Sequence, residues 1–366
     1  MKIKKISFKN NKTGWNVSNV NFDALTLFVG ASGVGKTQIL NALARLSQIV
    51  QGGSYNGMEW NVGFTIDSSY YEWAGAFEVV DVEEEMYLTK EFLYDIVWEK
   101  LQKDNQIIVE RTTNCILYNG QETLKLDNQK SAINLLKQED IIEPIYNSFR
   151  RLYKLNTESR GISISPLMQD QSKILTVDEI RQLPSNKIID KLFLLKKNTL
   201  PEFESICNSF CEIFPSVEEI DFTIGQFFNE RTYPILQIRE KKSKAWILQS
   251  EISSGMYRSL AMLVTLYLAE DGDVILVDEF ENGLGVNCIN QLAENFISPE
   301  TDVQIVMTSH HPYIINTIPY KCWKVVVRDA NNVHIYTAED LNIGEYSKHD
   351  AFMQLIQTSA YRNGML

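Results

Sequence analysis

Residues 28–40 read FVGASGVGKTQIL, and the way this stretch folds decides the reading of the chain. The apolar run ALTLFV (24–29) before it predicts a buried strand. TQILNALARLSQIV (37–50) after it predicts a helix from about Lys36 to Val50. Gly30, Gly33 and Gly35 lack a Cβ, so the chain between can turn tightly and aim successive backbone N–H groups at an anion. The helix adds its N-terminal partial positive charge at the same point. Gly30, four residues, then Gly35, Lys36 and Thr37 fit the spacing G-x-x-x-x-G-K-[ST]. In that pattern the lysine reaches the β- and γ-phosphates and the hydroxyl ligates Mg²⁺. The expected nucleotide contacts are therefore Gly30, Ala31, Ser32, Gly33, Val34, Gly35, Lys36, Thr37 and Gln38, with Thr37 on the metal.

The second half of such a site is expected in DVILVDEFENGLG (273–285). Val274 to Val277 form the continuous apolar run of a central parallel strand covered on both faces. Asp278 follows at its carboxyl end, where ligands bind in open α/β sheets, and is placed to hold magnesium through its waters. Glu279 is placed to act as general base on the attacking water. VQIVMTSHHPYIIN (303–316) repeats strand, polar tip and a helix opened by Pro312. His310 at that tip is the expected γ-phosphate contact, and His311 has no assigned role. In ISSGMYRSLAMLVTLYLAEDGD (252–273), Ser253, Ser254 and Gly255 precede a long apolar helix. Alone this is only a helix cap, but its place just before Asp278 and Glu279 makes it a phosphate candidate.

With 366 residues, 44% hydrophobic and 22% charged, the chain is that of a soluble globular protein of one large domain or two ordinary ones. A net charge of −12 argues against a generally basic nucleic-acid coat. The basic clusters FRRLYK (149–154) and REKKSKAW (239–246) read as solvated faces before nucleic-acid tracks. MKIKKISFKN has no apolar core behind it, so no signal peptide is expected. The longest apolar run, LAMLVTLYLA (260–269), is too short to span a bilayer. Five cysteines and no secretion signal suggest a reducing cytosol, with Cys207 and Cys211 in the core and not on a metal.

Between the motifs, residues 62–121 alternate like strands. With the Asn119-Gly120 turn they suggest an antiparallel sheet beside the nucleotide core. From about Ser131 to Phe214 the apolar spacing turns helical. The polar stretch NTESRGISISPLMQDQSKILT (156–176) is expected to be mobile. VEEIDFTI (217–224) and PILQIREKKSKAWILQ (234–249) look like strands returning to the core. The expected lobes are 1–130, a helical insert 131–214, and 215–366, with no heptads for a coiled-coil arm.

The order of these pieces, 30–37, 252–256, 278–279 and 310, resembles the ABC-type ATPases, closest to the soluble branch of SMC, RecF-like and OLD-like ATPases. ISSGM stands where LSGGQ is usual, Asp278-Glu279 match the Walker B pair, His310 the switch histidine, and Glu281 to Gly285 the D-loop. DEFENGLGV replaces the frequent DEPENGLHP, with Phe280 for proline and Gly285 for histidine. YYEWAGAFEV, IIVERT and FCEIFPSVEEIDFTI also look like this branch. The resemblance implies an α/β P-loop NTPase fold of ABC-ATPase type. Its mixed central sheet would carry an antiparallel β subdomain and an inserted helical region. It implies ATP and Mg²⁺, with catalytic roles for Lys36, Glu279 and His310. It further implies a head-to-tail homodimer in which Ser253, Ser254 and Gly255 of one chain complete the partner's ATP site.

Three readings of the purpose follow. The first is a cytoplasmic regulatory ATPase acting through a separately encoded effector, a nuclease or toxin, as in OLD-like anti-phage systems. Only about fifty residues follow His310, fewer than most domains need. The second is a DNA-repair or chromosome-associated ATPase that closes on DNA. The third is a transporter motor subunit, opposed by the long insert between the two halves of the nucleotide site, unlike the compact family form.

Overall fold

The computed structural model describes residues 1–81, 93–124, 126–155, 174–226, 232–297, 301–344 and 348–365. Residues 156–173, most of the stretch expected to be mobile, lie outside them. Chain contacts divide the described residues into two compact units. The first holds Met1–Lys154, Gly272–Phe280 and Asp302–Leu366, and the second Leu155–Asp271 and Glu281–Thr301.

The first unit is built on one sheet. In chain order its strands are β1 (Lys2–Asn10), β2 (Asn16–Asn21), β3 (Leu25–Val29), β4 (Met58–Ile66), β5 (Ser69–Phe77), β6 (Ile96–Lys103), β7 (Gln106–Arg111), β8 (Ile116–Tyr118), β9 (Gln121–Glu122) and β10 (Leu152–Lys154). Three strands of the second unit come next, β11 (Val217–Gln226), β12 (Thr232–Glu240) and β13 (Trp246–Leu248). The first unit then resumes with β14 (Val274–Val277), β15 (Gln304–Thr308), β16 (Trp323–Asp329) and β17 (Asn332–Thr337). Spatial order is β10-β14-β15-β3-β16-β17-β2-β1-β4-β5-β6-β7-β8-β9, a 14-stranded mixed sheet.

Its first five strands run parallel, and β14 and β15 are buried at every residue, as strands covered on both faces must be. From β2 to β9 the neighbours are antiparallel. The antiparallel strands expected beside the nucleotide core are thus hydrogen-bonded into the same sheet. Asn119 and Gly120 both have positive φ and close the β8–β9 hairpin, the backbone that a two-residue turn of this hand requires.

The helix Lys36–Val50 runs as expected, burying Ile39, Leu40, Leu43, Leu46, Ile49 and Val50. Beside it the helix Glu143–Arg150 lays Phe149 edge-on to Phe64 and Trp73 at 5.1 and 5.3 Å. Under that cluster Glu99 is fully buried, taking hydrogen bonds from Trp73 Nε1 (2.8 Å) and the Ala132 N–H (2.7 Å), with Arg111 at 3.8 Å.

Three expectations change. The helical run 131–214 is interrupted, because Leu152–Lys154 pairs as an edge strand with Val274–Leu276. The unit boundary therefore falls after Lys154, a different partition from lobes cut at 130 and 214. Residues 217–248 do not return to the large sheet. The hairpin partners β11 and β12 pair along nearly their whole length, and with β13 they form a separate three-stranded sheet in the second unit. Residues 323–337, for which no element was expected, supply β16 and β17 in the middle of the large sheet.

Three cations of the basic clusters are held in ion pairs. Arg151 binds Asp273 at 2.6 Å and Lys154 binds Asp278 at 2.8 Å. Arg239 reaches Glu219 at 2.6 Å and lies over the Trp246 ring. Burial pushes the Cys207 thiol up to about 12 and raises Cys211 as well, so neither is poised as a thiolate ligand. Among the described residues no helix is long and apolar enough to cross a membrane.

Candidate phosphate and metal site

The first unit brings Gly30 to Gln38, Asp278, Glu279 and His310 to the carboxyl ends of β3, β14 and β15. Gly30 has a φ of 139°, and a Cβ there would stand 2.6 Å from the Val326 carbonyl, so only glycine lets β3 turn off beside β16. The helix Lys36–Val50 begins without any side-chain cap or acidic residue in its first turn. A helix N-terminus without a side-chain cap or a neighbouring carboxylate suits an anion. Lys36 is buried, and its ammonium donates to the carbonyls of Gly30 (2.8 Å) and Ala31 (2.7 Å), inside the curl of the loop.

Asp278 is the hub. Its Oδ1 accepts from the Thr37 hydroxyl at 3.1 Å and from the Thr308 hydroxyl at 2.8 Å. Its Oδ2 accepts from Lys154 Nζ at 2.8 Å, and the same ammonium donates to Asn41 Oδ1 at 3.0 Å. Burial pushes the Asp278 carboxyl up, but the bonds from Lys154, Thr308 and Thr37 together outweigh it and hold the group below its ordinary value. It is a carboxylate throughout the neutral range. A hydroxyl and a carboxylate 3.1 Å apart are hard oxygen donors that suit Mg²⁺, and the cradle above them suits phosphates. The residues present fit the expected metal and nucleotide.

Glu279 is exposed and has a φ of 45°, a left-handed conformation rare for a residue with a side chain. Its N–H donates to Thr308 Oγ1 at 2.7 Å, and the next N–H, of Phe280, reaches the Thr308 carbonyl at 3.0 Å. Backbone strain of this kind persists only where neighbours hold it; here Thr308 and the fully buried Phe280 do so. Phe280, standing where the family pattern has proline, is a core anchor. His310 lies two residues beyond β15 and is half-buried. His311, unassigned from sequence, caps the short helix Pro312–Thr317, its Nδ1 accepting from the Tyr313 N–H at 3.3 Å.

Ser253, Ser254 and Gly255 belong to the second unit. Ser253 caps the helix Ser254–Tyr267, accepting from the Met256 N–H at 3.2 Å. A Cβ on Gly255 would stand 2.6 Å from the Gly283 carbonyl, so the 252–256 turn lies backbone to backbone on the 281–285 loop.

Sequence reasoning missed Thr308, Lys154 and Asn41. Thr308 is the polar residue closing an apolar strand, a signal that was available, and the register of β15 on β14 sets it level with Asp278. Asn41 stands four residues after Thr37, on the same helix face. Lys154 carried no local signal.

Comparison with solved structures finds the same fold in "Crystal structure of the SmcHead bound to the C-winged helix domain of ScpA". The identity is 13%, covering 92% of this chain and 98% of that one, with a TM-score of 0.53. The SMC head domain from Thermotoga maritima also matches, at 14% identity, with 92% and 99% of the two chains covered and a TM-score of 0.44. So does the Smc head domain with an extended coiled coil bound to the C-terminal domain of ScpA derived from Pyrococcus furiosus, at 16% identity, 92% and 97% coverage and a TM-score of 0.45. At these identities the likeness concerns the fold, and the first structure carries it. No curated protein matches the chain. Residues 117–316, more than half of the chain, match the family described as "AAA domain, putative AbiEii toxin, Type IV TA system". That stretch contains Ser253 to Gly255, Asp278, Glu279, Thr308 and His310, while the glycine-rich loop precedes it. The chain belongs to this AAA family and is an ATPase-type P-loop protein with the fold of an SMC head.

Proposed function

We propose that the chain binds and hydrolyses ATP as an ABC-type ATPase and closes as an ATP-sandwich homodimer. In that role it is the sensor and scaffold for a separately encoded effector, a nuclease or toxin, in bacterial anti-phage defence. One observation carries the ATPase reading: Thr37, at the start of the loop-borne helix, meets Asp278 at 3.1 Å across the ends of β3 and β14. Two motifs far apart in sequence thus meet, which supports a shared phosphate-and-metal site.

Lys36 and the first-turn N–H groups would hold the β- and γ-phosphates, with His310 near the γ-phosphate. Thr37 and Asp278 would hold Mg²⁺, which when bound offsets charge on the phosphate oxygens. Glu279 takes a proton from the attacking water. Its left-handed backbone, fixed by Thr308, sets its carboxylate relative to Asp278. Ser253, Ser254 and Gly255 of a second chain would cap the phosphates through the N-terminus of the helix Ser254–Tyr267. The defence part of this reading is supported by the family description, which names a toxin system. The DNA reading draws on the SMC-head fold alone.

The test is Glu279→Gln in full-length protein with ATP and Mg²⁺. Retained ATP binding, hydrolysis reduced by about 100-fold or more, and a shift from monomer to dimer by light scattering are expected. Normal turnover would remove Glu279 as the base. Pull-down of the same variant from its host separates the purposes. A stoichiometric nuclease or toxin supports the defence reading, and nuclease-sensitive DNA without protein supports closure on DNA.

A further inference from the structure

We propose that Lys154 is a metal-site residue, a built-in cation that shares Asp278 with Mg²⁺ and makes metal binding depend on the nucleotide. The inference rests on the nucleotide site proposed above and adds a residue that no motif of that site contains. Lys154 ends β10, whose register with β14 brings it level with Leu276, two residues before Asp278. Its ammonium is clamped between Asp278 Oδ2 (2.8 Å) and Asn41 Oδ1 (3.0 Å). Asn41 and Thr37 stand one helical turn apart, so one helix face addresses both oxygens of the same carboxylate. Thr37 does so directly at Oδ1 and Asn41 does so through Lys154 at Oδ2. The ion pair is only partly exposed, at 28% for the lysine and 16% for the aspartate side chain, so solvent screens it weakly.

The electrostatics follow from this placement. A divalent ion arriving alone at Asp278 meets a positive charge already hydrogen-bonded to its ligand, and like charges at such range oppose each other. A triphosphate brings negative charge enough for both cations. With it present, Lys154 and Mg²⁺ share the phosphates and Asp278 without net repulsion. Metal and nucleotide therefore bind with positive coupling, and by reciprocity each raises the affinity for the other. Lys154 is a positioning residue in this scheme, because its effect on hydrolysis runs through the metal and the phosphates.

The test compares full-length wild type, Lys154→Met and Lys154→Arg by calorimetry, with Mn²⁺ alone as the metal probe and ATP in EDTA as the metal-free nucleotide probe. Lys154→Met keeps most of the stem and loses the charge. It should bind Mn²⁺ alone about tenfold or more tightly than wild type, and metal-free ATP about tenfold more weakly. Lys154→Arg should stay near wild type in both, and adding Asp278→Asn to Lys154→Met should abolish the gained Mn²⁺ affinity. Mn²⁺ binding by Lys154→Met that equals or falls below wild type overturns the proposal, and so does a gain that survives Asp278→Asn. Circular dichroism of each variant separates a charge effect from misfolding, and Lys154→Gln repeats the neutral substitution should Lys154→Met fail to fold. Wild type that binds no ATP under any condition defeats the ATPase reading instead, while the Mn²⁺ comparison still decides the role of Lys154.

Discussion

Thr308→Val isolates the residue that holds the acid pair in shape. Valine matches threonine in size and removes one hydroxyl, so packing at this 1% exposed position is nearly kept. Two bonds are lost, the 2.8 Å bond to Asp278 Oδ1 and the 2.7 Å bond from the Glu279 N–H. The first involves a charged acceptor and is worth about 1.5–3 kcal/mol, the second about 1 kcal/mol. Loss of roughly 2.5–4 kcal/mol follows by addition of those values, unless water re-enters. A domain of this size loses about 2–4 °C per kcal/mol, so the melting temperature should fall by about 5–15 °C. Glu279 also loses the bond that fixes its left-handed backbone, so hydrolysis should drop more than ATP affinity. The assay pairs thermal melting with single-turnover hydrolysis at saturating ATP, and Thr308→Ser is the control that restores the hydroxyl. A Thr308→Val protein that melts within about 1 °C of wild type and turns over normally would refute the account of Thr308 as the hub's support.

Three further outcomes are expected. Lys36→Ala removes the ammonium from the loop and should abolish ATP binding by calorimetry while leaving the far-ultraviolet spectrum unchanged. Glu99→Ala leaves Arg111 buried beside an emptied site and should cost about 3–5 kcal/mol by denaturant unfolding; Glu99→Gln, which keeps an acceptor for Trp73 or Ala132, should cost less. Gly255→Ala would place a Cβ 2.6 Å from the Gly283 carbonyl. It should destabilise the second unit by about 1–3 kcal/mol through overpacking. ATP binding to the first unit should be unchanged, and a loss of hydrolysis alone would be read from steady-state turnover.

Much of the fold was legible because its strongest signals are local. The glycine-rich turn, the helix Lys36–Val50, the apolar run Val274–Val277 and the Asn119-Gly120 turn each declare themselves within a dozen residues. What escaped depends on pairing between distant segments. Leu152 continues the spacing of Ile145 and Phe149, so three- and four-residue periodicity carried the helix through β10, and only the neighbouring β14 makes that segment a strand. The alternation of 217–248 identified strands but held no information on which sheet they join. The Lys154–Asp278 pair was illegible for the same reason, since the register of β10 on β14 creates it.

The central position of β16 has a consequence for how the protein is made. The strand that launches the phosphate loop, β3, has β15 on one side and β16 on the other, residues 304–308 and 323–329. Until both have left the ribosome, β3 has neither hydrogen-bonded neighbour, and its apolar edges stay open to aggregation and to chaperones. Such long-range pairing also folds slowly. A nascent chain displays its complete glycine-rich loop early, yet β3 gains its two neighbours only once residues 304–329 have emerged, so products truncated before them lack the sheet that frames the loop.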